Sequence, residues 1–430
     1  MRTGWTRRPQ RWHSTLARAF ICLAVATCAV SITACARAQC QSVQPVECPE
    51  CFAVVVMPDT QVYTWLPLQP QGAAHLDLVT RYICANAAAW TEPSTGKVMP
   101  ILMTIHLGDL VESGDLTETM AGPLAEWVRM DAAMDNLDNC DPVVPYLVTA
   151  GNHDYANFNY EGDSVGYDTY FGTHRWTNAG YGCADPANCS GTAGDWFIGG
   201  GDTIVANSRN NVGAGSPGPS FDHPGRHRAG IIRAPNNQRF LFLGAEIAFD
   251  FPPAAVGFEA VEGDDSAWLK GVLDDYPDTP TVFFHHSMFL QEPDYPFGPE
   301  VWNSDSLTEG PPFDTGLGME AIWNEVVVPY SQIFMAFAGH VTSSPQEDFT
   351  FSRSGAPDVA GFLRNYQRSG IFGVPDSNYG GGWNIIAAFD PEADEIRVRS
   401  YRIDDTNAYA DPPINFDHTG VPAPTECLLP

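Results

Sequence analysis

The sequence has few basic residues, and it has no long apolar segment outside its N-terminus. Lysine and arginine together number 22, against 52 aspartates and glutamates, so the formal charge is −30. Such a surface repels DNA and RNA, because proteins that bind these polyanions contact phosphates through clustered Lys and Arg. Nucleic acid is therefore not expected as a partner. A small anionic substrate is still allowed, since metal ions can reverse the local field.

Motifs of two common enzyme classes are absent from the sequence. There is no Gly-x-x-x-x-Gly-Lys-Ser/Thr phosphate-binding loop, and there is no Gly-x-Ser-x-Gly turn around a nucleophilic serine. Nucleotide-driven work and serine-based acyl transfer thus have no support. Internal repeats and low-complexity tracts are also absent. Apolar residues make up 44% of the chain, which is enough for a sizeable core.

The first 38 residues are typical of an export signal. An arginine-rich, acid-free segment precedes a short apolar run, and 36–38 form a small-x-small cleavage site before Gln39. A second interpretation is that 32–35 form a lipobox with Cys35 as the acylated, anchoring residue. We prefer simple cleavage, because the sequence from Gln39 onward looks like an ordinary mature start. Either way we expect an extracytoplasmic protein (periplasm, cell envelope or secreted) with no transmembrane segment after signal removal.

The cysteine pattern predicts disulfide bonds. An even number of cysteines remains after the leader, and exported proteins usually pair them. Cys183 and Cys189 could close a small loop. The spacing of Cys48 and Cys51 also occurs in zinc and redox sites, but no second such pair exists, so we interpret them as structural. The remaining cysteines are Cys40, Cys48, Cys51, Cys84, Cys140, Cys183, Cys189 and Cys427.

Short apolar segments rich in β-branched and aromatic residues predict strands buried on both faces. Helical periodicity lies between several of them, around 75–90, 123–137 and 264–276. Alternating strands and helices indicate an α/β fold with a mainly parallel sheet. Two further strands, joined by a turn at 390–394, are predicted near the end. The predicted buried strands are 52–58, 101–108, 145–151, 240–247, 279–285 and 332–339.

These features divide the chain into a leader, one domain and two flanking segments. Residues 39–51 form a cysteine-containing N-terminal segment, 52–405 the domain, and 406–430 a polar C-terminal tail. Inside the domain, 155–238 is rich in Gly, Asn, Asp and Pro and is predicted to be a long loop insertion. A loop of this length within a compact domain indicates either function or local disorder.

Polar side chains that can bind metals follow five of the predicted strands. In α/β sheets ligands gather at the carboxyl ends of strands, and buried Asp or His is costly unless paired or metal-bound. Carboxylate, amide and imidazole together suit Mn, Fe or Zn. The side chains are Asp59 and Gln61, Asp109 and Glu112, Asn152, His153 and Asp154, His285 and His286, and His340.

This ordered set resembles the calcineurin-like metallophosphoesterase family over about residues 52–405. GDLVE at 108–112 matches its Gly-Asp-x-x-Asp/Glu motif, and GNHD at 151–154 matches Gly-Asn-His-Asp/Glu. MPDTQ at 57–61, with NYQ at 365–367, is similar to the branch that carries Gln in place of the first motif's His. The resemblance implies an αββα sandwich of two sheets with mixed, largely parallel central strands.

The resemblance also implies a centre of two divalent ions, Mn, Fe or Zn. Asp109 would bridge both ions. His286 is preferred to His285, because the family's His usually follows one polar residue past the strand. The other ligands would be Asp59 and Gln61 for one ion, and Asn152, His286 and His340 for the second.

The implied function is that of an exported, metal-dependent phosphoric ester hydrolase. A metal-activated water would attack a small phosphomonoester or phosphodiester. His153 would stand beside the substrate and stabilise the leaving oxygen, oriented by Glu112 or Asp154.

Two departures from the family pattern affect the same ion. Thr342 stands where the last motif should end in His, and Gln61 is a neutral oxygen ligand. That ion would bind weakly, be a harder ion such as Mn or Mg, or take a ligand from the long loop (His174, His223 or His227). The alternative function is a non-catalytic envelope protein that keeps the fold, with a degraded site, and binds a ligand or partner.

Overall fold

Two large β-sheets, one small sheet and their helices make up the described part of the molecule. The computed structural model describes residues 44–64, 72–112, 114, 123–154, 165–172, 175, 197–200, 227–245, 264–288, 323–340, 346–353, 356–365 and 382–403. The predicted leader and the predicted tail at 406–430 lie outside these residues.

The first large sheet has five strands. Its strands β2, β5 and β6 run parallel, whereas β14 is antiparallel to both β2 and β15. In spatial order the strands are β15 (Glu395–Arg402), β14 (Trp383–Asp390), β2 (Phe52–Met57), β5 (Ile101–His106) and β6 (Tyr146–Val148).

The second large sheet has seven strands. The four central strands β13, β11, β10 and β9 are parallel, and antiparallel strands flank them on both sides. In spatial order the strands are β12 (Gln346–Arg353), β13 (Ala356–Arg364), β11 (Ile333–Ala338), β10 (Thr281–His285), β9 (Arg239–Ala245), β8 (Arg228–Arg233) and β7 (Phe197–Gly200).

The remaining elements cover the sheets and connect their strands. A small sheet contains β1 (Val46–Glu47), β4 (Lys97–Met99) and β3 (Trp90–Thr91). Short single turns are a 3-10 helix at Asn152–Asp154 and a π-helix at Trp323–Val327. The α-helices are α1 (Gln61–Thr64), α2 (Gly72–Asn86), α3 (Pro123–Asp138), α4 (Val165–Phe171) and α5 (Asp264–Asp275).

The two large sheets pack face to face through apolar side chains. The ring of Phe52 in β2 stacks 4.4 Å from Phe389 in β14 and lies 5.1 Å from Phe240 in β9, so it joins the two sheets. Successive side chains of a strand point to opposite faces. Phe284 in β10 therefore joins this central core, while Phe283 packs in a second cluster with apolar residues of α5. Both faces of the central strands are thus covered, as their unbroken apolar sequences predict.

The structure confirms the predicted α/β fold, with two sheets and mixed, largely parallel central strands. The six predicted buried strands and the closing strand pair are all present, and so are the three predicted helices. The stretch 155–238 differs from a plain loop, because its described parts include α4, β7 and β8. In β8 an apolar centre of a few residues is flanked by arginines, which disguised it in the sequence. The strands β12 and β13 were also missed, since charged residues interrupt them.

Two disulfide bonds lie within the described residues. Cys48 pairs with Cys51 and Cys84 pairs with Cys140, at Cα–Cα distances of 5.2 and 5.1 Å. Cys48 and Cys51 are therefore structural, as predicted, and the structure shows that they pair with each other. Cys183 and Cys189 lie outside the described residues. In the part of the chain that the structure covers, no helix has the length and apolarity that a membrane crossing requires.

Candidate metal centre

The candidate site lies where the carboxyl ends of parallel strands from both large sheets meet. Strands of an open α/β sheet bring their following turns to the same edge, which is where ligands bind. Here the edges of two sheets adjoin, and the contacts below join turns of one sheet to turns of the other. The turns contribute Asp59 after β2, Asp109 after β5, Asn152 after β6, His286 after β10, His340 after β11 and Asn365 after β13.

Two of these turns hold a residue in the left-handed backbone region. Asp109 has φ +52° and follows Gly108 at φ +94°, and His340 has φ +65°. Non-glycine residues pay about 1 kcal/mol or more to adopt this conformation, so it persists where surrounding contacts impose it. The other described non-glycine residues with positive φ, Asn237 and Asp394, lie in hairpin turns. The strained turns at Asp109 and His340 therefore mark a site rather than ordinary chain reversals.

His286 is the centre of the cluster. Its Nδ1 lies 2.8 Å from the carbonyl oxygen of Leu107, so Nδ1 carries a proton and donates it there. In the neutral ring Nε2 then presents a lone pair. That atom lies 3.0 Å from Asn152 Oδ1, 3.1 Å from His340 Nδ1 and 3.1 Å from Asp109 Oδ2.

This arrangement suits a cation. A carboxylate oxygen, an amide oxygen and imidazole nitrogens converge with their lone pairs facing one another, and a divalent ion offsets the repulsion between such acceptors. Ligand atoms of Asp109, His286 and His340 all lie within 4.8 Å of one another. The backbone carbonyl that holds Nδ1 of His286 fixes the ring's orientation, as in most metal-binding histidines. These residues form a candidate metal-binding group.

Burial and neighbouring charges favour the metal-binding protonation states of Asp109 and His340. Burial raises the pKa of Asp109, but His286, His153 and His340 together outweigh it and lower that pKa below its ordinary range. Burial, with His286 beside it, lowers the pKa of His340 to about 3. At neutral pH the carboxylate is therefore ionised and the imidazole of His340 is neutral, and both forms are the ones that bind metals.

His153 borders the cluster and is partly exposed. Its side chain is 22% exposed, compared with 2% for Asp109. The backbone N–H of His153 donates to Asp109 Oδ1 at 2.8 Å, which links the two turns. The ring's Nδ1 lies 2.8 Å from the carbonyl oxygen of Glu112 and 3.7 Å from its Oε2. Glu112 therefore holds the ring of His153 so that its Nε2 lies on the side away from Glu112.

Asp154 holds the backbone of two neighbouring turns. Its carboxylate accepts backbone N–H groups from Leu110 at 2.8 Å, Val111 at 3.2 Å and Gly151 at 2.8 Å. It is fully buried, and burial together with Asp109 raises its pKa, while the three backbone donors oppose that rise. Of the two groups predicted to orient His153, Glu112 contacts it, and Asp154 instead ties the β5 and β6 turns together. A short acidic side chain beside a tight turn satisfies backbone donors better than it reaches a neighbouring ring.

Asp59 and Gln61 lie on the other side of the site. Asp59 Oδ2 accepts a hydrogen bond from Asn365 Nδ2 at 3.3 Å, and Thr60 N donates to the carbonyl oxygen of Asp109 at 3.1 Å. The carbonyl oxygen Oε1 of the Gln61 side chain is buried and has no hydrogen-bond partner among the described residues. An unpartnered buried oxygen is costly, and a bound ion would satisfy it. These residues fit an oxygen-ligated ion, although they fall outside the Asp109, His286 and His340 group.

His285 and His227, which the sequence also suggested as metal ligands, do not join the cluster around His286. His285 points away from His286, and its Nδ1 accepts the backbone N–H of Ser287 at 2.9 Å. His227 is buried directly before β8. His174, His223 and Thr342 lie outside the described residues.

A second group of potential ligands combines Cys48, Cys51 and Asp390. The two sulfurs are joined in a disulfide, so they offer no thiolate. The carboxylate of Asp390 is paired with Lys97. This group is therefore structural, in agreement with the interpretation of the two cysteines as structural.

Sequence reasoning gave no role in the site to His106, and it noted Thr60 and Asn365 only as parts of the MPDTQ and NYQ motifs. His106 ends β5 and accepts the Gly108 N–H through Nδ1 at 3.1 Å, and its Nε2 lies 2.9 Å from Thr60 Oγ1. Asn365 follows β13, a strand that the apolar pattern did not reveal. A polar residue inside an apolar strand, as in TIHLGD, is the signal that could have singled out His106.

Comparison with known proteins gives distant similarities. No protein-family model matches the sequence. The "Uncharacterized protein YvnB" of Bacillus subtilis (strain 168) is 23% identical over 366 residues, which is 83% of this chain. The match covers 20% of that protein, so this chain spans about a fifth of the length of the curated relative.

Comparison with solved structures also gives only remote similarities. TT1561 of Thermus thermophilus superposes with a TM-score of 0.34 and 11% identity, over 80% of this chain and 97% of that chain. GAP50, described as the anchor in the inner membrane complex of Plasmodium, gives a TM-score of 0.39 and 7% identity, over 88% and 90% of the two chains. Values this low say nothing of activity or substrate.

Proposed function

We propose that this protein is an exported, metal-dependent hydrolase of phosphomonoesters or phosphodiesters. One observation carries the proposal: Nε2 of His286 meets the carboxylate of Asp109, the amide oxygen of Asn152 and the ring of His340, while Nδ1 is committed to the backbone. The GDLVE and GNHD motifs supply two of these residues, Asp109 and Asn152, which supports the resemblance to metallophosphoesterases. The two disulfides are consistent with an oxidising compartment.

Two ions would be held by different sets of side chains. Asn152, His286 and His340 would hold one, Asp59 and Gln61 would hold the other, and Asp109 would bridge them. When bound, such ions polarise phosphoryl oxygens and acidify a water molecule. The unpartnered buried Oε1 of Gln61 supports its assignment as a ligand. The ions would be Mn, Fe or Zn, given the mixed oxygen and nitrogen ligands.

The protein's own contribution to the reaction centres on His153. With Nδ1 donating to the Glu112 carbonyl, its Nε2 is directed away from Glu112. In the imidazolium form that nitrogen can give a proton to the leaving oxygen of a phosphoester as the P–O bond breaks. Its partial exposure allows a substrate to reach it, while the buried Asp109 and His286 stay shielded from water. A small phosphoester is the substrate class that we propose.

The test is metal content and hydrolysis in the same samples. Purified protein is incubated with Mn, Fe or Zn, dialysed and analysed for bound metal, and it is assayed with an aryl phosphomonoester and an aryl phosphodiester. We expect about two ions per chain and hydrolysis of one substrate class. Asn152→Ala should abolish hydrolysis and lower the metal content to about one ion per chain, because Asn152 would hold one of the two ions. Asn139→Ala, a change at an exposed residue after α3, should alter neither quantity.

The outcomes separate the two functions considered for this chain. Hydrolysis that survives Asn152→Ala undiminished refutes the proposed site. No bound ion after incubation with Mn, Fe and Zn, together with no hydrolysis of either ester, would favour the non-catalytic binding protein with a degraded site instead.

A further inference from the structure

His106 lies between the two turns that carry Asp59 and Asp109. It is fully buried at the end of β5. A backbone N–H can only donate, so the contact of Gly108 N with Nδ1 makes Nδ1 an acceptor. The proton of the neutral ring is therefore on Nε2, which donates to Thr60 Oγ1 at 2.9 Å. One side chain thus bonds the β5 turn with one nitrogen and the β2 turn with the other.

The two turns are joined a second time through the backbone. Thr60 N donates to the carbonyl oxygen of Asp109 at 3.1 Å. Thr60 therefore receives one contact from His106 and makes one to Asp109, and its hydroxyl proton is directed at Met130 Sδ, 3.9 Å away. Asp59 is next to Thr60 in the chain, and Asp109 is next to Gly108. Any movement at the His106–Thr60 bond therefore changes the distance between these two carboxylates.

The other half of the site is held by contacts that do not involve Thr60. His286 is held by the Leu107 carbonyl and meets Asn152 and His340 directly. None of those contacts passes through Thr60. A defect at the His106–Thr60 bond should therefore act on the Asp59 side and spare the His286 side.

We propose that His106 and Thr60 are a positioning pair that fixes the spacing of the Asp59 and Asp109 turns and thereby determines how tightly the Asp59-side ion binds. This inference rests on the proposed function for the identity of the site. Neither residue is among the proposed metal ligands. A hydrogen bond of this kind behind metal ligands typically contributes 10–100-fold in metal affinity.

The experiment compares Thr60→Val with Thr60→Ser in the full-length protein. Valine keeps the size of threonine but cannot accept the Nε2 proton, whereas serine keeps the hydroxyl. After loading with Mn or Zn and dialysis, elemental analysis should find about two ions per chain in wild type and Thr60→Ser, and about one in Thr60→Val. The affinity for the second ion should fall about 10–100-fold in Thr60→Val.

A second variant guards against failure of Thr60→Val to fold. His106→Asn keeps an oxygen acceptor for the Gly108 N–H but is too short to reach Thr60. It should lose the same single ion as Thr60→Val. The double variant with both substitutions should lose no further ion, because the two substitutions break the same hydrogen bond. Thermal unfolding of each metal-free variant shows whether it folds.

The outcomes distinguish this inference from the proposed function. Two ions retained in both Thr60→Val and His106→Asn overturn the positioning pair and leave the function standing. Loss of both ions also overturns it, since that would be general structural damage. If wild type binds no ion, the proposed function fails. In that case hydrogen exchange tests the positioning pair. The backbone amides of Gly108 and Asp109 should exchange faster in Thr60→Val than in Thr60→Ser, and equal exchange rates would refute the positioning pair.

Discussion

Replacing Gly151 by alanine tests how closely the β5 and β6 turns approach each other. A Cβ added at Gly151 would lie 2.8 Å from Asp109 Cγ, and it would be closer still to that residue's Oδ1 and backbone N. Carbon atoms pack at about 3.5–4.0 Å, so one turn must move by about 1 Å. Gly151 does not have a left-handed φ, so alanine is excluded by contact and not by backbone conformation.

Asp109 has little freedom to give way. Its Oδ1 accepts the His153 N–H at 2.8 Å and its Oδ2 lies 3.1 Å from His286 Nε2. A forced shift therefore breaks contacts inside the candidate site. We expect Gly151→Ala to lower the free energy of unfolding by about 1–3 kcal/mol, as over-packing usually does. A displacement of about 1 Å should also lower hydrolysis about 10²-fold and weaken metal binding.

The matched control is Gly271→Ala in α5. A Cβ at Gly271 meets nothing within 4 Å, and the residue is exposed inside a helix. This change should stabilise the protein by about 0.5–1 kcal/mol, because glycine loses more conformational entropy in a helix than alanine. Equilibrium unfolding in denaturant and elemental analysis measure both variants. A Gly151→Ala protein with wild-type stability and metal content would refute the close contact between the two turns.

Three further predictions address His153, His106 and the Cys84–Cys140 disulfide. His153→Gln should lower kcat about 10²–10⁴-fold for an alkyl phosphoester and by a smaller factor for an aryl ester, whose leaving group needs less protonation. The metal content should stay unchanged. Equal losses of kcat on both esters would contradict the role of His153 as proton donor. Burial, with His286 beside it, lowers the pKa of His106 to about 3. In the unfolded chain the pKa of a histidine is about 6.5, so below that pH the unfolded state binds a proton that the folded state does not. The free energy of unfolding therefore falls as the pH is lowered from about 6.5 towards about 3. Metal-free wild type should therefore lose about 2 kcal/mol more than His106→Asn between about pH 7 and about pH 5 in denaturant titrations, and parallel curves would contradict this. Breaking the Cys84–Cys140 bond, which joins residues 56 apart, with Cys84→Ser and Cys140→Ser should cost about 4 kcal/mol by loop-closure entropy. Denaturant titrations measure this loss, and a variant as stable as oxidised wild type would contradict it.

Most of the buried strands could be predicted from the sequence, because their apolar side chains are continuous along the chain. Phe52–Met57 and Ile333–Ala338 lie within predicted segments, since each is covered on both faces. The strand Ala356–Arg364 could not be found in this way. It contains Pro357, Asp358 and Gly361, and its strand conformation depends on pairing with β11 and β12. Pairing with neighbours is a tertiary property, and it overrides local preference.

The candidate site divides in the same way. The motifs around Asp109 and Asn152 are local in sequence, so their positions at the ends of strands follow from the order of residues along the chain. The support that Asn365 gives to Asp59 joins residues 306 positions apart. No local pattern predicts such a contact.

The sequence by itself determined which residue types end the strands, because a short motif fixes both a tight turn and the side chains that it presents. Only the tertiary structure decided which of two adjacent histidines faces Asp109. Successive side chains at a strand end point in opposite directions, so the choice between His285 and His286 depends on where β10 stops and which sheet edge it meets. The same dependence placed Asp154 on backbone amides and His106 between two turns, since each contact requires the folded approach of segments that are distant in the chain.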